Sequence, residues 1–226
     1  MNRHQEISNA YKDLGKAHSF YDRMMTGTSF LGRVIDKVVW DMGPDDLSDY
    51  LERALAGIPD GFSGTLLEVP VGTGVLSLPV WKNLPDAEVT CLDYSEKMME
   101  TARKRAEELH ISNVSFLQGD VGDLPFEDGS FDAVVSLNGF HAFPDKEAAF
   151  RETHRVLKKG GVFTGCFYIE KANPRTDKWI RGIYVKKGFF TPPFDTLDSL
   201  RKRLESLYSE VQVSHVQSIA CFTCRK

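Results

Sequence analysis

A doubly wound α/β fold on a parallel sheet is what this sequence predicts, and three observations predict it. From Gly64 onward, short apolar runs alternate with amphipathic stretches at the period of strand–helix–strand units. The first run, Leu66-Leu67 and then Val69, is short and apolar on both sides, as a strand covered on both faces must be. It leads into Gly72-Thr73-Gly74, a turn that glycine allows to reach positive φ and to admit a ligand close to the backbone.

The elements follow in order. Residues 1–60 read as three helices: one with Ile7, Tyr11 and Leu14, one with Leu31, Val34, Ile35, Val38, Val39 and Met42, and one starting at Asp45 with acids in its first turn. After the glycine turn, residues 75–81 carry an apolar stripe and are expected to be helical. Residues 89–93 form a second strand ending in Asp93, and Ser95 caps a helix whose inner face is Met98, Met99, Ala102, Ala106 and Leu109. Residues 114–121 are a third strand containing Gly119-Asp120, and residues 131–136 a fourth. A helix over 145–157 is expected to end on Lys158-Lys159-Gly160-Gly161, basic residues with a glycine stop, before a fifth strand over 162–168. Residues 169–195 are irregular and rich in aromatics, with a short helix around Trp179 and Ile183; they read as an insertion walling a substrate site. A helix over 198–207 and a hairpin from 208–213 and 216–223 close the chain, which is expected to be one domain over 1–226.

Composition narrows the function classes. The chain has 226 residues, 42% hydrophobic and 27% charged, enough for one full core. A net charge of −4 argues against a nucleic-acid partner, and Lys186-Lys187 and Arg201-Lys202-Arg203 read as solvated helix faces. No run approaches the roughly 18 apolar residues of a membrane span, so stable membrane insertion is not expected. Residues 1–6 lack the apolar core of a signal peptide, so a cytoplasmic location is the default expectation. Cys221 and Cys224 have metal-type spacing, but no second ligand pair accompanies them, and three residues along a strand separate opposite faces; no metal is expected.

The site residues come from four stretches. A carboxylate at Asp93, about 20 residues past the last glycine, has the spacing and chemistry that grip a ribose diol. The segment Ser136-Leu137-Asn138-Gly139-Phe140-His141-Ala142-Phe143-Pro144 follows the fourth strand. The ordered set is Glu68 and the glycine turn, Asp93, Gly119-Asp120 in the third strand, the fourth strand over 131–136, and the fifth after Arg155-Val156-Leu157-Lys158-Lys159-Gly160-Gly161. This set resembles the class I S-adenosylmethionine (SAM) dependent methyltransferases over about residues 65–168, and within them the small branch related to ubiquinone- and menaquinone-biosynthesis methyltransferases. The resemblance implies a Rossmann-like seven-stranded sheet with an antiparallel last strand, helices on both faces and an N-terminal helical cap. It implies SAM as cofactor, S-adenosylhomocysteine as its product and a small-molecule O, N or C acceptor; a homodimer is carried as the expected assembly. By the same resemblance Glu68, Gly72 and Gly74 hold the methionine part and the Pro70 carbonyl takes the amino group. Asp93 then holds the ribose, Tyr94 flanks the adenine, and Gly119, Asp120 and Val121 read the base. Tyr21, in Phe20-Tyr21-Asp22, contacts SAM from the cap, and Asn138 faces the sulfur.

Pro70 departs from the pattern, which has glycine there; proline removes a donor and fixes φ, so the turn is expected to be recast with binding kept. His141 is the histidine nearest the expected chemistry, with two roles open: general base, or anchor of its loop by a hydrogen bond. The absence of an Asn/Asp-Pro-Pro-Tyr motif argues against an adenine-N6 or glutamine methyltransferase. Two rivals remain. A SAM-binding protein without transferase activity is compatible with Pro70. An NAD-linked oxidoreductase wants a third glycine where Ser77 stands and gives Gly119-Asp120 no role.

Overall fold

The computed structural model describes residue 22, residues 34–43 and residues 45–226. Tyr21 and most of the expected N-terminal cap lie outside them. The described part of the cap is a π-helical stretch, Asp36–Trp40, and α1, Asp46–Leu55, which buries Tyr50 and Ala54.

Seven strands form one sheet: β1 (Thr65–Glu68), β2 (Glu88–Asp93), β3 (Val114–Gln118), β4 (Phe131–Leu137), β5 (Leu157–Tyr168), β6 (Glu210–Val216) and β7 (Ile219–Arg225). Their spatial order is β3-β2-β1-β4-β5-β7-β6. The pairs from β3 through β5 are parallel, and β7 runs antiparallel to both β5 and β6. The expected doubly wound sheet with an antiparallel last strand is therefore present. Its order turns at β1, which pairs with β2 on one side and β4 on the other; a crevice at the carboxyl ends of strands belongs at such a point.

The period of two along each strand divides the core in half. Leu66, Val89, Val135, Cys166 and Cys221 pack on one face, with Tyr50 and Ala54 of α1 and Met99, Ala102 and Ala106 of α3 (Glu96–Glu108). Leu67, Leu92, Val134, Phe163, Phe222 and Cys224 pack on the other, with Ala149 and Phe150 of α4 (Lys146–Val156) and Leu200 and Leu204 of α6 (Leu197–Leu207). Cys221 and Cys224 thus sit in opposite half-cores. Here α2 is Leu78–Trp81 and α5 is Pro174–Trp179. Ser95 and Asp145 cap α3 and α4 by accepting from Met98 N at 3.4 Å and Ala148 N at 2.9 Å.

Several bounds need correction. The third strand ends at Gln118, so Gly119-Asp120-Val121 lies in the loop after it, and the closing hairpin is Glu210–Val216 and Ile219–Arg225. The helix read over 75–81 is only the four residues of α2, because Pro79 lacks an N–H and is tolerated only in a first turn; the helix has no room to extend back to Val75. The helix read over 145–157 ends at Val156, and β5 begins at Leu157. Lys158 and Gly160 therefore belong to the strand, where Lys158 Nζ reaches Asp132 at 2.8 Å. The carbonyls at the end of α4 go to a different cation, as Lys226 Nζ donates to His154 O at 2.7 Å and Leu157 O at 2.8 Å.

Candidate functional site

At the carboxyl ends of β1, β2 and β4 lies a cleft of about 450 Å³, open mouth included. Its walls bring together Pro70, Asp93, Tyr94, Gly119, Asp120 and Val121 of the expected residues, and add Ala142, Phe143 and Pro144. Glu68, Gly72, Gly74, Asn138 and His141 stand behind or beside that surface.

The glycine turn is built from both ends. Val69 N donates to Val135 O and Val71 N to Leu92 O, so the backbone leaves β1 still pinned between its two neighbours. Gly72 and Gly74 then take φ of 56° and 66°, where a Cβ is strained. Pro70 shapes the opposite wall: a Cβ on Gly139 would lie 2.2 Å from Pro70 Cδ, so the proline ring takes the space that a side chain there would need.

Asp93 ties this turn to β2. Its Oδ2 accepts from Gly72 N and its Oδ1 from Ser95 N, both at 2.8 Å. Burial pushes its carboxyl up to about 6, against the pull of those backbone donors. Glu68 turns the other way, into the half-core under α2 and α3. Its Oε2 accepts from Trp81 Nε1 at 2.7 Å and from Cys91 Sγ at 3.6 Å, and burial pushes its carboxyl up to about 7. Glu68 therefore supports the turn from beneath. Asp120 folds back to accept from Gly122 N at 2.8 Å, and Gln118 Nε2 donates to Tyr94 O, which holds the β2 and β3 ends together.

A contact outside the expected set also holds the turn. Thr73 Oγ1 donates to Asp22 Oδ1 at 2.7 Å, Arg105 of α3 reaches Asp22 Oδ2 at 2.6 Å, and Arg105 also donates to Thr73 O. The tip of the turn is thus clamped through side chain and backbone at once. The residues involved are 51 and 83 positions apart in sequence, so no local pattern marks them.

Asn138 and His141 shape the wall after β4. Asn138 takes φ of 56°, donates its N–H to Cys166 O at 2.7 Å, and its Oδ1 faces Cys166 Sγ at 3.8 Å. His141 is buried, its Nδ1 accepts from Tyr168 N at 3.3 Å, and its ring stacks on Phe190 at 3.9 Å. Burial, with the nearby Lys146 charge, pushes its pKa down to about 3. His141 is a neutral ring whose basic nitrogen is already occupied. Replacing it with Gln should lower the melting temperature slightly, through the lost stacking of about 0.5–1.5 kcal/mol. Turnover should stay within a few-fold of wild type; a hundredfold loss of kcat, with a rate limb near neutral pH that vanishes in the variant, would make His141 a base instead.

The residues fit a SAM-type ligand on the chemistry of the site. The Asp93 oxygens keep lone-pair capacity beyond the backbone bonds they accept. Ser136 Oγ, at the end of β4, is buried with no hydrogen-bond partner among the described residues.

Known proteins point the same way. A family model described as a methyltransferase domain matches residues 66–161. A demethylmenaquinone methyltransferase of Thermotoga maritima is 36% identical over 168 residues, 74% of this chain and 67% of the relative. A protein of the same description from Thermus thermophilus is 43% identical over 96 residues, 42% of this chain and 43% of the relative, so the chain spans under half of its length. A solved SAM-dependent methyltransferase of Thermotoga maritima, described as a possible histamine N-methyltransferase, superposes with a TM-score of 0.67 at 19% identity over 96% of this chain and 99% of its own, a likeness of fold. With its strand order, its cleft at the turn of that order and these relatives, the chain belongs to the class I SAM-dependent methyltransferases and resembles the menaquinone and ubiquinone methyltransferases among them.

Proposed function

We propose that this protein transfers a methyl group from SAM to a small-molecule acceptor, and that the acceptor is quinone-like. The observation that carries the first part is the cleft at the β1–β4 turning point, with Asp93 and Asp120 in its wall. The second part rests on the Thermotoga maritima relative described as a demethylmenaquinone methyltransferase.

The cofactor's sulfonium supplies a methyl group that is already activated, so the protein's task is placement and exclusion of water. Asp93 and Tyr94 would hold the ribose and adenine side, with Asp120 and Val121 at the base. The clamped Gly72–Gly74 turn and the Pro70 carbonyl would take the methionine end, with Glu68 acting from beneath. The aromatic insertion, residues 169–195, would wall the acceptor side: Phe190 and Phe194 pack with Tyr168, Trp40 and Tyr184 beside the His141 loop. His141 fits the anchoring role. A cytoplasmic location belongs to the same reading, supported by four cysteines that are all free thiols.

SAM and S-adenosylhomocysteine should each raise the melting temperature, and NAD should not. A ligand that binds only the native state stabilises it by about 2.7 kcal/mol at a hundredfold excess over its Kd. A shift with NAD and none with SAM would sink the proposal. A screen of quinone, phenol and amine acceptors by mass spectrometry, reading a gain of one methyl, then decides the acceptor class.

A further inference from the structure

Large apolar side chains are seldom left exposed in clusters. Six are exposed among the described residues, and four of them, Val34, Val38, Trp179 and Ile183, belong to two helical segments that pack together. Thr176 Oγ1 donates to Val39 O at 2.7 Å, and Arg175 Nη2 to Lys37 O at 2.8 Å, joining the Asp36–Trp40 stretch to α5 and its continuation Ile180–Tyr184. Val34 and Val38 are four residues apart, as are Trp179 and Ile183, so each pair lies on one side of its helix. Ile180 and Val39 face inward between them and are buried.

The surroundings are basic, on a chain of net charge −4. Residues 174–190 hold five basic side chains and one acidic one, Asp177, which accepts from Tyr168 Oη at 2.7 Å and from Lys171 N. Arg175 and Arg181 are paired, with Asp41 and Glu170. Lys178, Lys186 and Lys187 are exposed and make no ion pair among the described residues. We propose that this face docks the protein peripherally on an anionic bilayer surface, with Trp179, Ile183, Val34 and Val38 entering the headgroup boundary and the three lysines meeting lipid phosphates.

Charge complementarity favours this occupant. Tryptophan suits a zone that is apolar on one side and wet on the other, and lysine lays its stem along apolar surface while its charge stays in water. A protein partner is disfavoured because lysine is depleted at protein interfaces. A second copy seated face to face on a two-fold axis would bring two lysine-rich surfaces of the same sign together. The face is also continuous with the cleft wall. Beyond Lys187 the chain reaches Phe190, stacked on His141, and Thr191, which donates to His141 O at 2.9 Å and Ala142 O at 3.0 Å.

Flotation of the full chain with phosphatidylcholine vesicles, with and without about a quarter phosphatidylglycerol, tests this without reference to methyl transfer. The protein should float with the anionic vesicles, remain free of the neutral ones and be released by high salt. Changing Lys178, Lys186 and Lys187 together to Gln should weaken partitioning by roughly a hundredfold, at about fivefold per lysine. The pair Trp179→Ala and Ile183→Ala should weaken it about tenfold and lower the melting temperature, while the lysine variant keeps a melting temperature close to wild type. No flotation with anionic vesicles, or flotation unchanged in both variants, would overturn the proposal. A dimer in sedimentation that the Trp179 and Ile183 changes dissolve would reassign the face to a second copy. Retention of oligonucleotides that only the lysine variant loses would reassign it to nucleic acid.

Discussion

Asp93→Ala is expected to weaken SAM binding by roughly ten- to a hundredfold, the cost of losing hydrogen bonds to a charged acceptor. It should also lower stability, an outcome that spacing alone does not foretell. The Asp93 carboxylate accepts from both Gly72 N and Ser95 N, and its removal leaves the turn and the start of α3 each short of an acceptor. An unpaired buried donor costs about 1–3 kcal/mol. Asp93→Asn separates the two effects, because its carbonyl oxygen keeps one of those bonds while the charge is gone. Calorimetry of SAM binding should show both variants weakened, and urea titration should show the alanine variant the less stable. An unchanged Kd in a folded variant would mean that the ribose is gripped elsewhere.

The second large effect is on stability against pH. The Glu68 carboxyl stands at about 7 in the folded protein against an ordinary value of 4.5, because it is buried under α2. An acid whose folded value is raised binds its proton more tightly in the native state. Its contribution is most favourable below about 4.5, declines as pH rises from there to about 7, and is constant above. The full difference corresponds to about 3 kcal/mol. Asp93, raised to about 6, adds a slope of the same sign below that pH. Asp132 and Glu152, held below their usual range by Lys158 and Arg155, act oppositely, and their contribution is lost only as pH falls through the acid range. His141, pushed down to about 3 in the folded protein, acts oppositely up to about pH 6.5, so the Glu68 part is read as a difference. Glu68→Gln, which still offers Trp81 an acceptor, should gain stability relative to the wild type as pH rises from 5 to 8. Urea titrations at pH 5 and 8 measure this; parallel pH profiles for the two proteins would show that Glu68 is not the group responsible.

Much of this architecture was legible in the sequence, for a physical reason. A strand buried on both faces must be a short apolar run, so Leu66-Leu67, residues 89–93 and residues 131–136 announce a parallel sheet directly. Asp93 was legible as part of the site because a glycine turn and a carboxylate at fixed spacing are one local constraint. Where a single residue overrides a periodic stripe, the stripe misled: Pro79 cuts the helix over 75–81 to one turn, and Leu157 is extended although it continues the apolar side of α4. Phe143 and Pro144 in the cleft wall carry no motif, and the clamp of Asp22 and Arg105 on Thr73 joins parts of the chain that meet only after folding. Glu68 was legible as a residue of the turn but not in its direction, which depends on the partner that Trp81 supplies.

The place of β7 has a consequence for how the protein must be made. Ile219–Arg225 lies between β5 and β6 and pairs with each over seven residues. It is synthesised after both of the strands it joins. In a chain released before Ile219 is added, β5 and β6 each present, on the side that β7 would take, a row of backbone groups with no neighbour to satisfy them. Open edges of this kind are where nascent chains associate wrongly. Chains released before Ile219 should therefore collect in the insoluble fraction of a cell, although the whole β1–β4 cleft has already been translated.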